Sequence, residues 1–225
     1  ACCLVGSEMC IRDSTNLEET KDWGRIADFY SERAKGGVGL IITGGIAPNE
    51  EGAVFKGAAA MLDEKDADNH KIVTDAVHKN GGRIAMQILH AGRYAYSPDC
   101  VAPSAIKSPI SPFVPNALDG EGIEKQIADF VKCARLAKSA GYDGIEIMGS
   151  EGYFINQFLV EHTNKRDDSW GGSYENRMRL PLQIVKKIRS EVGEHFLLIF
   201  RLSMIDLIPN GSSHEEVVIL AKKLE

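Results

Sequence analysis

Apolar positions along the chain fall into two alternating rhythms. Trp23, Ile26, Ala27, Tyr30 and Ala34 recur at helical spacing and predict a helix over 17–35, ended by Gly36-Gly37. The run Val38-Gly39-Leu40-Ile41-Ile42-Thr43 is short and continuously apolar, which suits a strand buried on both faces, closed by Gly44-Gly45. A second helix is expected over 64–79, with Ile72, Val73, Ala76 and Val77 facing inward, then a strand over 83–89 ending at His90. After the proline-rich connection 91–119, Ile123, Ile127, Phe130, Val131, Ala134 and Ala137 mark a third helix over 121–140. The strand Ile145–Met148 runs into a turn punctuated by Gly149 and Gly152 that presents Tyr153. A fourth helix is expected over 174–192, with Pro181 demanding a kink or a late start. The last strand spans 196–203, and Ser213-His214-Glu215-Glu216 reads as a capping box opening a fifth helix.

Strict alternation with long crossovers predicts an α/β fold with parallel strands. Gly36, Gly37 and Gly39 precede a strand instead of coming after one, so the G-x-G-x-x-G pattern of an open nucleotide-binding sheet is not met. Polar residues gather at the carboxyl ends of all four strands, where a barrel keeps its chemistry. The expected fold is therefore a (β/α)8 TIM barrel. Strands spaced roughly 50 residues apart would need about 400 residues for eight, so four strands make a partial barrel, without its start and its last third to half. Residues 1–14 (ACCLVGSEMCIRDS) show no periodicity and read as foreign to the rest of the chain or as a disordered tail. Residues 15–225 read as one incomplete barrel domain.

Composition narrows the function classes. The 225 residues are 44% hydrophobic with a formal net charge of −6, enough for a sizeable core. There is no basic block for nucleic acid, no apolar run long enough for a membrane span, and no export leader in the sequence at hand. The five cysteines match no metal spacing and no disulfide framework, which points to the cytoplasm.

Candidate chemistry sits at the strand ends. No lysine occupies a strand or its immediate end, which weakens a Schiff-base mechanism. His90, Glu146, Glu151 and His162 are scattered one per segment, so no metal site is expected. G-x-S-x-G is absent. There remain a glycine-rich strand end, the Gln87 amide, the Arg201 guanidinium and the Tyr153 phenol. An amide can pair with the edge of a planar ring, a guanidinium can stabilise negative charge spread over it, and a phenol can deliver a proton. A reduced flavin requires the first two services. The competing reading makes Gln87 and Arg201 part of an internal network with Glu146, including an Arg201–Glu146 pair, and Tyr153 a packed aromatic.

Beyond these residue types, ordered motifs run from Leu17 to Glu225: Gly36-Gly37-Val38-Gly39-Leu40, Thr43-Gly44-Gly45, Gln87-Ile88-Leu89-His90-Ala91-Gly92-Arg93-Tyr94, Gly152-Tyr153-Phe154-Ile155-Asn156-Gln157-Phe158, Asn164-Lys165-Arg166-Asp167-Asp168, Trp170-Gly171-Gly172-Ser173-Tyr174-Glu175-Asn176-Arg177 and Arg201-Leu202-Ser203. With these the chain resembles the flavin-dependent barrel of the old yellow enzyme (NADH:flavin oxidoreductase) family, and within it the bacterial 2,4-dienoyl-CoA reductase branch. The resemblance implies FMN as cofactor, with Gly45 and Gln87 against the isoalloxazine and Arg201 at its pyrimidine end. It implies Tyr153 as proton donor and Thr163, Asn164, Lys165 and Arg166 facing an acyl-CoA substrate. The implied activity is NADPH-dependent reduction of 2,4-dienoyl-CoA thioesters in unsaturated fatty acid degradation, with FAD, a 4Fe-4S centre and the NADPH site lying outside this chain. Many ene-reductases place a histidine and then an asparagine or histidine where Met148 and Glu151 stand, which speaks against ordinary enone reduction. The alternatives are another NADH:flavin oxidoreductase or ene-reductase of the family, and a non-catalytic fragment whose open half-barrel exposes strand edges. His90 and Arg93 either line the same mouth or pack their own loop.

Overall fold

The computed structural model describes residues 17–225; the expectation for residues 1–14 lies outside them. A short 3-10 turn, Glu18–Thr20, leads into α1 (Trp23–Lys35), β1 (Ile41–Ile46), α2 (Glu64–Lys79) and β2 (Ile84–Ile88). Two-residue strands β3 (Val101–Ala102) and β4 (Asn116–Ala117) pair in parallel within the long connection that precedes α3 (Gly120–Ser139). Then come β5 (Gly144–Gly149), the short α4 (Phe154–Leu159), α5 (Tyr174–Arg177), α6 (Arg179–Val192), β6 (Leu197–Leu202) and α7 (His214–Leu224).

Capping chemistry sets the helix starts. Asp22, Asp63 and Asp119 each accept the backbone N–H three residues on, and Ser213 with Glu216 forms the expected reciprocal box. The first helix begins at Trp23, not Leu17, because Lys21 takes a left-handed conformation (φ 51°). Pro181 is accommodated by a late start: α5 ends at Arg177, and Pro181 falls in the first turn of α6, where its missing N–H has no helical partner to lose.

Four strands form one parallel sheet in the order β1-β2-β5-β6. Side chains alternate between its faces. Ile84, Met86, Ile88, Ile145 and Ile147 turn to one side and pack under the helices with Ile26, Tyr30, Val77, Phe130, Ile184 and Ile188. Gly45, Gln87, Glu146, Met148 and Arg201 share the other face, since Gly45 registers with Gln87, Gln87 with Glu146, and Met148 with Arg201. β6 is an edge of the sheet, and Leu197 is 42% exposed there despite its place in an apolar run.

Gly144 registers with Leu197, and a Cβ on Gly144 would lie 2.5 Å from both the Leu197 Cβ and its carbonyl oxygen. A side-chain rotation cannot clear a backbone oxygen. Gly144→Ala is expected to lower unfolding free energy by roughly 1–3 kcal/mol, read by urea denaturation. Unchanged stability would show that β5 and β6 are not held at this spacing.

Candidate active site

The shared face carries polar groups in one row. Between Ile42 and Gly45 the β1–β2 ladder slips, β1 advancing three residues while β2 advances two. This bulge re-aims the strand end. Gln87 donates its backbone N–H to the Thr43 hydroxyl (3.1 Å), and Gly45 arrives beside Gln87 without a side chain. The Gln87 amide donates to the Glu146 carboxylate at 2.7 Å, with both residues buried. Arg201, two-thirds buried, donates to Glu151 at 2.8 Å. The expected Arg201–Glu146 pair is therefore divided: Glu146 takes the amide, and Glu151 takes the guanidinium.

Glu151 and Gly152 both adopt left-handed conformations (φ 61° and 78°), which turns the chain from β5 into α4. The turn is clamped from within. The Asn156 side-chain oxygen accepts the Gly152 N–H (2.7 Å), and the Gln157 amide donates to the Gly152 carbonyl (2.7 Å). It is also clamped from the turn after β2. Gln157 accepts the Arg93 N–H (3.1 Å), the His90 carbonyl accepts the Phe154 N–H (3.0 Å), and the His90 ring stacks on Phe154 at 4.0 Å. A Cβ on Gly92 would run into the Gln157 amide, and one on Gly152 into the Tyr94 hydroxyl. The two turns occupy one interlocked volume.

Tyr153 sits at the N-cap of α4, half-buried, against the cluster of Leu89, Ala91, Ala95, Cys100 and Met148. The Tyr94 ring meets it edge-on, with centroids 5.8 Å apart. Met148 links the parts: it registers with Arg201 and belongs to the cluster beneath Tyr153. A cavity of about 810 Å3 lies elsewhere, lined by Trp23, Glu50, Lys56, Ala58, His70 and Asp99 among others; Gln87, Tyr153 and Arg201 are not on its wall.

Three of the four residues expected to face substrate are committed inside the protein. The Thr163 hydroxyl donates to the Gln157 and Val160 carbonyls, and the Asn164 amide to those of Phe158 and Trp170. Arg166 holds the Pro103 and Leu118 carbonyls and grips Asp168 with two nitrogens. Amides and guanidiniums serve a loop scaffold and a ligand equally well, so residue type alone could not separate the two roles. Lys165 alone is exposed, its backbone N–H bound to the Ser104 hydroxyl (2.9 Å). His90 and Arg93 pack their own loop: Arg93 is buried against the Ile106 and Lys107 carbonyls, and the His90 ring accepts the Gly92 N–H and meets Gln126.

The description NADH:flavin oxidoreductase / NADH oxidase family matches residues 4–225, reaching into the stretch read as foreign. The chain belongs to this family. An NADH oxidase of Thermoanaerobacter brockii is 40% identical over 221 residues, 94% of this chain and 34% of that protein. The solved complex of 2-naphthoyl-CoA reductase with 2-naphthoyl-CoA superposes with a TM-score of 0.84 at 35% identity, covering 89% of this chain and 33% of that one. An old yellow enzyme homologue from Zymomonas mobilis gives 0.80 at 32% identity, covering 88% and 59%. The sheet is thus a four-stranded arc of a TIM barrel, and the chain spans about a third of the length of the first curated relatives it matches.

The family implies FMN, and the shared face suits it. Gly45, registered with Gln87, contributes no side chain of its own there, and Glu151 engages one Arg201 nitrogen of a fork with five N–H donors. An amide edge and a cation are the groups that a planar anionic ring would require.

Burial lowers the His90 and His70 pKa values to about 4 from the ordinary 6.5. Both rings fold neutral, so the unfolded chain binds more protons between pH 6.5 and 4. Stability is full above pH 6.5 and falls as pH drops toward 4. Urea denaturation at pH 5 should give an unfolding free energy lower than at pH 7 by on the order of 1 kcal/mol per histidine. Equal values would mean that these rings are hydrated in the folded protein.

Proposed function

We propose that the protein to which this barrel belongs is an FMN-dependent reductase of 2,4-dienoyl-CoA thioesters, with Tyr153 as proton donor. The supporting observation is the placement of Tyr153. Its backbone forms the N-cap of α4 at the turn after β5, and its ring packs on the cluster that contains Met148, a residue of the face that also carries Gly45, Gln87 and Arg201.

FMN bound on that face would supply hydride. Gly45 would allow close approach of the backbone, the Gln87 amide would pair with the ring edge, and the Arg201 guanidinium would balance negative charge on the ring. Glu146 fixes which way the Gln87 amide points, by accepting one of its hydrogens. After hydride reaches the conjugated system, the electron pair left on the substrate takes a proton from the Tyr153 hydroxyl, and a solvent proton restores the phenol.

The substrate class rests on two groups that the turn lacks. Met148 is buried and Glu151 is paired with Arg201, so neither offers a neutral donor to an enone carbonyl. A thioester carried by a CoA group instead needs an anchor for phosphates, and Lys165 presents its charge at the loop that Asn164 and Arg166 hold. The structural neighbour bound to a CoA thioester agrees with this class. In this reading NADPH would be the electron source, with FAD and a 4Fe-4S centre outside this chain as carriers.

In the full-length protein, Tyr153→Phe should lower kcat for 2,4-hexadienoyl-CoA by about 100-fold or more while the bound-flavin spectrum stays unchanged. Full activity in Tyr153→Phe would remove the phenol from the chemistry. Turnover of simple enones without turnover of dienoyl-CoA would assign the protein to the ene-reductases of the family instead.

A further inference from the structure

Glu18 is buried in a position that a carboxylate rarely takes without a cation. Among the described residues it has two partners, both neutral donors: the Tyr30 hydroxyl of α1 and the Gly44 backbone N–H, the latter at 2.9 Å. The Gly44 N–H also lies 3.2 Å from the Tyr30 oxygen. Gly44 falls within the β1 bulge, between the paired residues Ile42 and Gly45, so its N–H faces no ladder carbonyl. A buried N–H without an acceptor would cost about 1–3 kcal/mol. Glu18 supplies the nearer of its two acceptors from 26 residues away, the Tyr30 oxygen being the other.

The bulge determines which residue stands beside Gln87. With an unbroken ladder, Ile42 opposite Ala85 would bring Gly44, not Gly45, opposite Gln87. Gly45 would then turn to the helix side and Ile46, 1% exposed in the core and registered with Ile88, would turn to the polar face. An isoleucine would stand where the flavin ring needs room.

We propose that Glu18 is a positioning residue of the flavin site: its carboxylate holds the Gly44 bulge that keeps Gly45 open beside Gln87. The proposal rests on the flavin reading above for its consequence, and on the hydrogen bonds alone for its mechanism. In this role Glu18 acts through the backbone of β1, by its bond to the Gly44 N–H.

The test uses the full-length protein, with FMN affinity read by quenching of flavin fluorescence and Gly44 amide protection read by hydrogen exchange. Glu18→Leu removes the nearer acceptor and the group that orients the Tyr30 hydroxyl, and should weaken FMN binding about tenfold or more, with reduced Gly44 protection. Glu18→Asp keeps the charge but shortens the reach, and should also bind FMN more weakly than wild type. Glu18→Gln keeps an acceptor oxygen at full reach and should restore most of the affinity, a rescue that general destabilisation would not give. Should Glu18→Leu fail to fold, the Asp and Gln pair carries the comparison. Wild-type affinity and unchanged Gly44 protection in Glu18→Asp, or loss in Glu18→Gln as deep as in Glu18→Asp, overturns the proposal. Wild-type protein that binds no FMN while Glu18→Asp still loses Gly44 protection overturns the flavin reading and leaves the Glu18 bond standing.

Discussion

Two turns in this protein share one volume, and the candidate site depends on that interlock. The turn after β2 and the turn after β5 approach so closely that Gly92 and Gly152 have no room for a Cβ against Gln157 and Tyr94. Gln157 then bonds to both turns, and Phe154 connects to His90 through its N–H and its ring. Tyr153, between Gly152 and Phe154, inherits its position from these contacts. A phenol held this way would lose little orientational freedom if a substrate were to bind beside it. Burial of the neutral His90 ring is part of the same arrangement, because a charged imidazole could not stack inside this core without a partner.

Charge on the polar face is arranged in two tiers. The Gln87–Glu146 bond is buried and orients an amide. The Arg201–Glu151 pair is partly exposed, with side chains 33% and 43% accessible, and such pairs contribute about 0–1 kcal/mol. Arg201 can therefore exchange part of that contact for a ligand's negative charge at small cost, while the deeper pair stays fixed.

Much of the fold was legible in the sequence because it depends on local signals. Helices over 64–79 and 121–140 come from apolar spacing and aspartate caps, and the break near Pro181 from one missing N–H. The parallel sheet was readable from alternation, and the row Gly45, Gln87, Arg201 from their places at strand ends. Features set at long range escaped. The β1 bulge needs Glu18, the pairing of Arg201 needs the left-handed Glu151, and α4 is too short to show a period. The internal bonds of Thr163, Asn164 and Arg166 escaped for a different reason. Their donors find carbonyls outside their own segment, among them Pro103 and Leu118, which no spacing within 163–166 reveals.

The central claim is that Gln87, Arg201 and Tyr153 address a single planar redox ring. A crystal structure of the full-length protein reconstituted with FMN tests it most directly. The account predicts one isoalloxazine against the Gly45 backbone, bonded to the Gln87 amide and the Arg201 guanidinium, with the Tyr153 hydroxyl directed at the substrate side of the same ring. Flavin seated elsewhere, such as the cavity beside Trp23 and His70, or a Tyr153 hydroxyl turned away from the ring, would contradict it.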